Sequence, residues 1–160
     1  LCSFFLIDGL CIEEVQDIVY GERGAGVPRA AVREWPAAPD GAITRIVTPD
    51  TRLLFRFSAL TFNAHRIHYD RPFATVEEGY PGLVVHGPLT AVLMMELVRR
   101  NFDRRVQEFS FRGIAPLFDL GPFRLMCTGA DTGGNQLALE AQGPDGATAM
   151  TADVQVAPVA

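Results

Sequence analysis

Apolar positions along this chain recur with two periods, and each period marks out a different kind of element. Leu53, Leu54, Phe57 and Leu60 stand three and four apart, the spacing of a helix with one buried stripe. Pro49-Asp50 precedes them, so the pattern predicts a short helix over 51–60 with Asp50 as its N-cap. From Pro88 onward the polar face disappears: Leu89, Val92, Leu93, Met94, Met95, Leu97 and Val98 are apolar on nearly every side. This predicts a long helix buried all round, with Pro88 at its first position and Arg99-Arg100 near its C-terminus, where cations are favoured. On that reading Met94-Met95 belong to the core rather than to a substrate tunnel.

The remaining segments carry the shorter period. Leu10–Tyr20, Ala42–Thr48, Gln107–Ala115, Phe123–Thr128, Gln136–Ala141 and Ala147–Val156 are rich in β-branched, aromatic or alternating apolar residues and are predicted as strands. The last strands are separated by Asp131-Thr-Gly-Gly-Asn135 and Gly143-Pro-Asp-Gly146, tight-turn chemistry for hairpins. Pro72 and Pro81-Gly82 punctuate 70–87 as loop and short turn. Residues 21–41 hold Gly, Pro and Ala in excess, with Trp35 as the one large anchor; a linker packed onto the domain through that ring is expected. The whole predicts an α+β chain, one long helix lying on a curved antiparallel sheet.

Composition narrows the classes. At 160 residues, 48% hydrophobic and 21% charged, the chain has the balance of one globular domain. A net charge of −5 argues against nucleic acid as a partner. All 14 basic residues are Arg, which excludes a Schiff-base lysine, a P-loop lysine and a Ser-Lys dyad. Phosphate binding stays open, because guanidinium forks suit it. Cys2, Cys11 and Cys127 are odd in number and form no CxxC, so neither a metal site nor a disulfide framework is supported, and Cys127 reads as a buried strand residue. No apolar run reaches the roughly 18 residues of a spanning helix. Asp8 interrupts the apolar start and no basic segment precedes it, so a signal peptide is not expected and cytoplasm is the default compartment. The first residue is Leu, which reads as the continuation of something longer or as a trimmed chain.

Candidate chemistry is concentrated in one place. The three histidines, His65, His68 and His86, fall within 22 consecutive positions, and histidine is the side chain whose ordinary pKa suits proton transfer near neutrality. His65 and His68 lie in Ser58-Ala-Leu-Thr-Phe-Asn-Ala-His-Arg-Ile-His-Tyr-Asp70, and His86 in Gly82-Leu-Val-Val-His-Gly-Pro-Leu89. His68 is either a proton-transfer group or a packed ring bonded to Asp70 or a backbone carbonyl. Asn63 can hold a water or orient a histidine, since an amide both donates and accepts. For His65, a structural bond across the loop and a share in proton transfer stand level. Asp70 reads as a structural partner of His68, Arg66 or Arg71. His86 reads as structural rather than catalytic. Gly87-Pro88 opens the long helix, whose first N–H groups make a natural oxyanion site. Arg99, Arg100, Arg104 and Arg105 read as a solvated face balanced by Glu96 and Asp103.

These two motifs, with Glu14-Val-Gln-Asp-Ile-Val-Tyr20, Leu54-Phe-Arg-Phe-Ser-Ala-Leu-Thr-Phe-Asn63 and Arg112-Gly-Ile-Ala-Pro-Leu-Phe118, resemble the MaoC-like hydratase/dehydratases of the hot-dog fold. Within that group the chain is most similar to mesaconyl-CoA and itaconyl-CoA hydratases and mitochondrial 3-hydroxyacyl-thioester dehydratases. The likeness covers most of residues 10–156 and implies a hydro-lyase acting on a 2-enoyl or 3-hydroxyacyl thioester of coenzyme A or acyl carrier protein. It implies His68 as base and acid, the Gly87 N–H with neighbouring His86 on the thioester carbonyl, and no metal or redox cofactor. One or two of Arg99, Arg104 and Arg112 then become candidates for the phosphates of coenzyme A. Two departures stand out. The common motif reads Asp-x-Asn-Pro-x-His, and here Asn63 falls where the Asp would be and His65 where the Asn would be. The subgroup also resembles tandem double hot dogs, of which this chain matches the second. Residues 1–22 are then expected to be a strand remnant of a first repeat, 23–41 the linker and 42–160 the hot-dog domain. Its partner would be a second copy or a separate first half, with neither nucleic acid nor membrane involved. Two other classes remain: a non-catalytic half that binds the thioester or completes a partner's site, and a hot-dog thioesterase. The second needs a carboxylate, and none lies between positions 51 and 69.

Overall fold

A computed structural model describes residues 2–6, 9–18, 34–129 and 135–158. Its main body is one five-stranded antiparallel sheet and one long helix. The strands are β3 (Ile43–Val47), β4 (Val106–Gly113), β5 (Phe123–Gly129), β6 (Gln136–Gln142) and β7 (Thr148–Val156), in the spatial order β3-β5-β6-β7-β4. Alternation sets which face is buried. Phe123, Leu125 and Cys127 on β5, Leu137, Leu139 and Ala141 on β6, and Met150, Ala152, Val154 and Val156 on β7 all point to the core. The pairing matches these residues to one another: Leu125 faces Ala141, Cys127 faces Leu139, Leu139 faces Ala152 and Leu137 faces Val154. A slip of one residue would turn every one of them outward, so the pattern specifies the register.

That face is covered by α2 (Gly87–Asn101), which presents Leu89, Leu93, Met94, Leu97 and Val98. Complete burial of one such side chain stabilises by roughly 1.5–3 kcal/mol. The helix is not enclosed on every side, however: Val92 is 56% exposed, because among the described residues a single sheet packs on the helix. Glu96 on the same helix receives Arg45 of β3 at 2.6 Å and is also gripped by Arg100, tying the edge strand to the helix.

α1 (Thr51–Leu60) has Asp50 as its N-cap, whose carboxylate accepts from the Leu53 N–H at 2.7 Å. Its buried stripe is Leu54 and Ser58, with Leu53 and Phe57 at the flanks. Leu60 is turned to solvent, at 80% exposed, because it falls past the point where the helix leaves the core. The helix ends in a Schellman arrangement. The Asn63 N–H donates to the Ser58 carbonyl and the Phe62 N–H to Ala59, with Phe62 in the left-handed region at φ +53°.

Short helical turns lie just before and within residues 70–87, which were expected as loop and short turn. A 3₁₀ turn spans Arg66–His68 and a π-helical turn Phe73–Glu77. Asp70 caps the second by accepting from the Phe73 N–H at 3.1 Å and also receives Arg66 at 2.7 Å. Asp70 is thus Arg66's partner, not that of His68. Pro72 starts the turn rather than breaking it, as proline does in a first helical turn.

At the other end of the chain, β1 (Cys2–Leu6) and β2 (Gly9–Glu14) form a separate antiparallel hairpin. The strand expected over 10–20 therefore stops at Glu14, and the apolar segment before it is a strand as well. Most of the expected linker lies outside the described residues. Its end, 34–39, is irregular and held to the sheet: Trp35 Nε1 donates to the Gly143 carbonyl at 2.7 Å, and Arg124 reaches the Pro36 carbonyl at 2.8 Å. The Gly143–Gly146 turn forms as its sequence predicts, with Gly146 at φ +82°. The other predicted turn lies largely outside the described residues. No helix among the described residues is long and apolar enough to cross a membrane.

Candidate active site

The end of α1, the 3₁₀ turn and the start of α2 converge, and this convergence brings the three histidines together. His68 is 7% exposed and His86 is fully buried. Their rings stack at 3.7 Å between centroids, 18° from parallel. His65 stays exposed and meets His68 edge-on at 5.6 Å. Asn63 is placed beside them, but its Oδ1 accepts from the His65 N–H at 3.0 Å, closing a local turn.

One hydrogen bond decides the chemistry of His68. Its Nδ1 lies 2.8 Å from the Val84 carbonyl oxygen. A carbonyl only accepts, so Nδ1 carries the proton and the neutral ring keeps its lone pair on Nε2. Burial holds the pKa of His68 below the ordinary 6.5; the Val84 bond works the other way, and the charge of nearby His65 adds to the lowering. The ring is therefore neutral at pH 7 and able to accept a proton at Nε2.

Val84 is itself fixed from several sides. Its N–H donates to Ile67, the neighbouring Val85 N–H to Leu117, and Val84 bridges to Phe118. Asp119 clamps the segment by accepting from the Leu83 N–H at 2.9 Å while pairing with Arg71. Gly82 sits against this clamp. A Cβ there would come within 2.8 Å of Asp119 Oδ1 and 2.9 Å of Leu120.

His86 is the N-cap residue of α2, but its side chain caps nothing. Nε2 lies 2.8 Å from Ser58 Oγ, and Phe57 packs against the ring at 4.9 Å. Nδ1 is buried with no hydrogen-bond partner among the described residues, an omission that costs roughly 1–3 kcal/mol. Burial, with the charge of His68 second, pushes its pKa down to about 4. Its side chain thus lies beneath His68 rather than toward the cavity beside Gly87.

That cavity has a volume of about 300 Å³ and is walled by Val84, Val85, Gly87, Ile114, Leu117 and Met150 among others. Gly87 is exposed to it as the first residue of α2, so its N–H has no carbonyl one turn back. A Cβ at Gly87 would meet only Met150 Cε, at 3.9 Å. The fold itself therefore has no steric need for glycine here. The histidines do not line this cavity; Val84 stands between, one face on the cavity and its carbonyl on His68.

The three arginines are dispersed. Arg99 lies at the far end of α2, about 18 Å along the axis from Gly87 at 1.5 Å per residue. Arg104 donates to the Ala157 carbonyl at 2.6 Å and to Asn135, a structural tie. Arg112 is exposed on β4, next to Gly113 of the cavity wall. Two participants escaped the sequence reading, Ser58 and the Val84 carbonyl. Ser58 lies four residues after Leu54 on the buried stripe of α1, and a serine in an apolar stripe was the available signal. Val84 contributes main chain alone, which carries no residue-type signal.

An antiparallel sheet closed over one long helix is the arrangement of the hot-dog fold. The (R)-hydratase of A. caviae involved in PHA biosynthesis matches it with a TM-score of 0.63 over 74% of this chain and 94% of its own, at 19% identity. The family described as hydroxyacyl-thioester dehydratase type 2 matches residues 6–119, and the chain belongs to that family. It is 66% identical over 147 residues to the mesaconyl-C(4)-CoA hydratase of Chloroflexus aurantiacus, covering 92% of this chain and 51% of that protein. With the mitochondrial hydroxyacyl-thioester dehydratase type 2 of Schizosaccharomyces pombe it shares 35% over 120 residues, 72% of this chain and 39% of that one. The chain thus spans about half the length, or less, of these curated relatives.

Proposed function

We propose that this chain carries the hydration machinery of an enoyl-thioester hydratase, with His68 as base and acid. The observation that carries the reading is the Nδ1–Val84 bond, which leaves the Nε2 lone pair of a neutral, buried imidazole available. Nε2 takes a proton from water as its oxygen bonds to C3. The C2–C3 π electrons move onto the thioester oxygen, where the Gly87 N–H at the positive end of α2 offsets the charge. The imidazolium then returns its proton to C2. The sum is addition of water with no change of redox state, so no electron carrier enters. His65 beside His68, and the amide of Asn63, are the groups available to orient the water. A C4-to-C5 unsaturated acyl-CoA fits the likeness to the Chloroflexus protein, and Arg112 is the cation best placed to meet its phosphates. Residues 1–22 fit the end of a first repeat, and the sheet edges β3 and β4 are where a second copy or a first hot dog would pair.

A second reading has its own support. Asn63 replaces an acid, and the described cavity does not reach the histidines, as expected of a half that needs its partner to complete the site. Incubation with crotonyl-, mesaconyl- and itaconyl-CoA separates the two. Hydration without release of free thiol supports the first, and its loss in His68→Ala with the fold intact supports the assigned base. Near-normal turnover of that variant would sink the assignment, and inactivity of the unmodified chain toward all three thioesters would favour the second reading.

A further inference from the structure

Beneath the proposed base lies a second imidazole for which the hydration scheme has no task. His86 is fully buried, its Nδ1 has no partner among the described residues, and its flat face is pressed on His68 at 3.7 Å. A side chain of that kind is costly to bury, and an aliphatic residue could fill the same volume without an orphaned nitrogen.

The geometry shows what an aliphatic residue could not do. The χ2 torsion of a histidine is soft, with broad rather than sharply staggered minima. A hydrogen bond tolerates a spread of angles, so the Val84 bond alone lets the ring swing about χ2 and draw Nδ1 off the carbonyl. A stack 18° from parallel sets the plane of the ring. The floor is itself held: Ser58 Oγ lies 2.8 Å from His86 Nε2, and the edge of Phe57 closes the packing at 4.9 Å. Ser58 and Phe57 belong to α1, whereas His86 begins α2. The arrangement therefore registers the two helices against each other at the site.

We propose that His86, gripped by Ser58, is a positioning residue whose ring fixes the plane of His68 and so aims its Nε2 lone pair. The proposal deepens the hydratase reading and rests on it for its effect on turnover. The orphaned Nδ1 follows: the ring is kept for its face and for one nitrogen, and the other nitrogen is left over.

Three variants of the full chain test it: Ser58→Ala, His86→Leu and His86→Phe. Two quantities are read, kcat and KM for hydration of crotonyl-CoA, and the side-chain ¹H–¹⁵N spectrum of His68. The unmodified chain should show His68 as a single Nδ1–H tautomer. Ser58→Ala and His86→Leu should lower kcat about tenfold or more with KM within about twofold, the scale of a misaimed group, and His68 should become a mixture of tautomers. His86→Phe keeps a flat face and should lose several-fold less than His86→Leu. Wild-type kcat with an unmixed His68 in both Ser58→Ala and His86→Leu would overturn the proposal, as would a loss confined to KM. If His86→Leu fails to fold, Ser58→Ala decides alone, since it removes one oxygen. The tautomer readout needs no turnover: a chain inactive toward thioesters would count against the hydratase reading while the spectra still decided the positioning role.

Discussion

The role proposed for His68 requires a neutral ring, and that requirement gives the proposed reaction a pH dependence of definite sign. Burial places its pKa below 6.5, so the acid limb of kcat/KM should have its midpoint below that value, with activity lost on further acidification. A pH–rate profile with its acid midpoint above 6.5 would contradict the burial argument. Gly87 allows a second test at this scale. Only Met150 Cε lies near the Cβ that Gly87→Ala would add, so the melting temperature should be nearly unchanged. The methyl should nonetheless crowd the thioester oxygen away from the N–H, with kcat/KM falling by about tenfold or more. Unchanged kinetics would show that nothing approaches this backbone closely. His68 and Gly87 stood out in the sequence because an imidazole can transfer protons near neutrality and a glycine opening a helix leaves its N–H accessible. Val84 did not, because a carbonyl is common to every residue, and Ser58 was hidden inside a helical stripe read for its apolar members.

At the scale of elements, the helix ends give the clearest expectations. Phe62 occupies the left-handed position that closes α1, where glycine or asparagine is usual, and its side chain is 96% exposed. Phe62→Gly should therefore stabilise the chain by about 1 kcal/mol, since it relieves backbone strain and sacrifices no packing. Asp50→Ala should cost about 1 kcal/mol through the lost cap on α1. Urea midpoints of both variants check the pair, and equal signs would refute the assignment of these ends. The helix over 51–60, the strands from β3 to β7 and the helix beginning beside Pro88 were legible because period and punctuation agreed. The turns at 66–68 and 73–77 were not, since one turn is too short to show a period. The Asp70-Arg-Pro72 signature of a helix start was overridden by reading the prolines as breakers. Full enclosure of α2 failed for another reason: an apolar residue such as Val92 shows what a position could bury, not whether a neighbour exists to bury it.

For the whole molecule, the stacked histidines set an acid limit on stability. His86 has a folded pKa of about 4 against an ordinary 6.5, so it binds protons more readily unfolded. Its contribution is complete above pH 6.5 and lost as pH falls toward 4, about 3 kcal/mol across that window. Asp50, Asp70 and Glu96, each held below its ordinary value by arginine or backbone donors, add to the loss at lower pH. Urea unfolding at pH 7, 5 and 4 should show the decline beginning in the histidine window, and His86→Phe should flatten it there.

The strap at residues 34–39 has a consequence for how this protein is observed. Trp35 is the single tryptophan, and it sits on the strap, with Arg124 over its ring at 5.7 Å and its indole N–H on Gly143. Intrinsic fluorescence therefore reports whether the strap is docked, far in sequence from the histidine layer. A fluorescence transition that precedes the far-ultraviolet one on heating would mark the strap peeling away from a sheet still folded, and the two optical probes together would measure that latch separately from the domain it fastens.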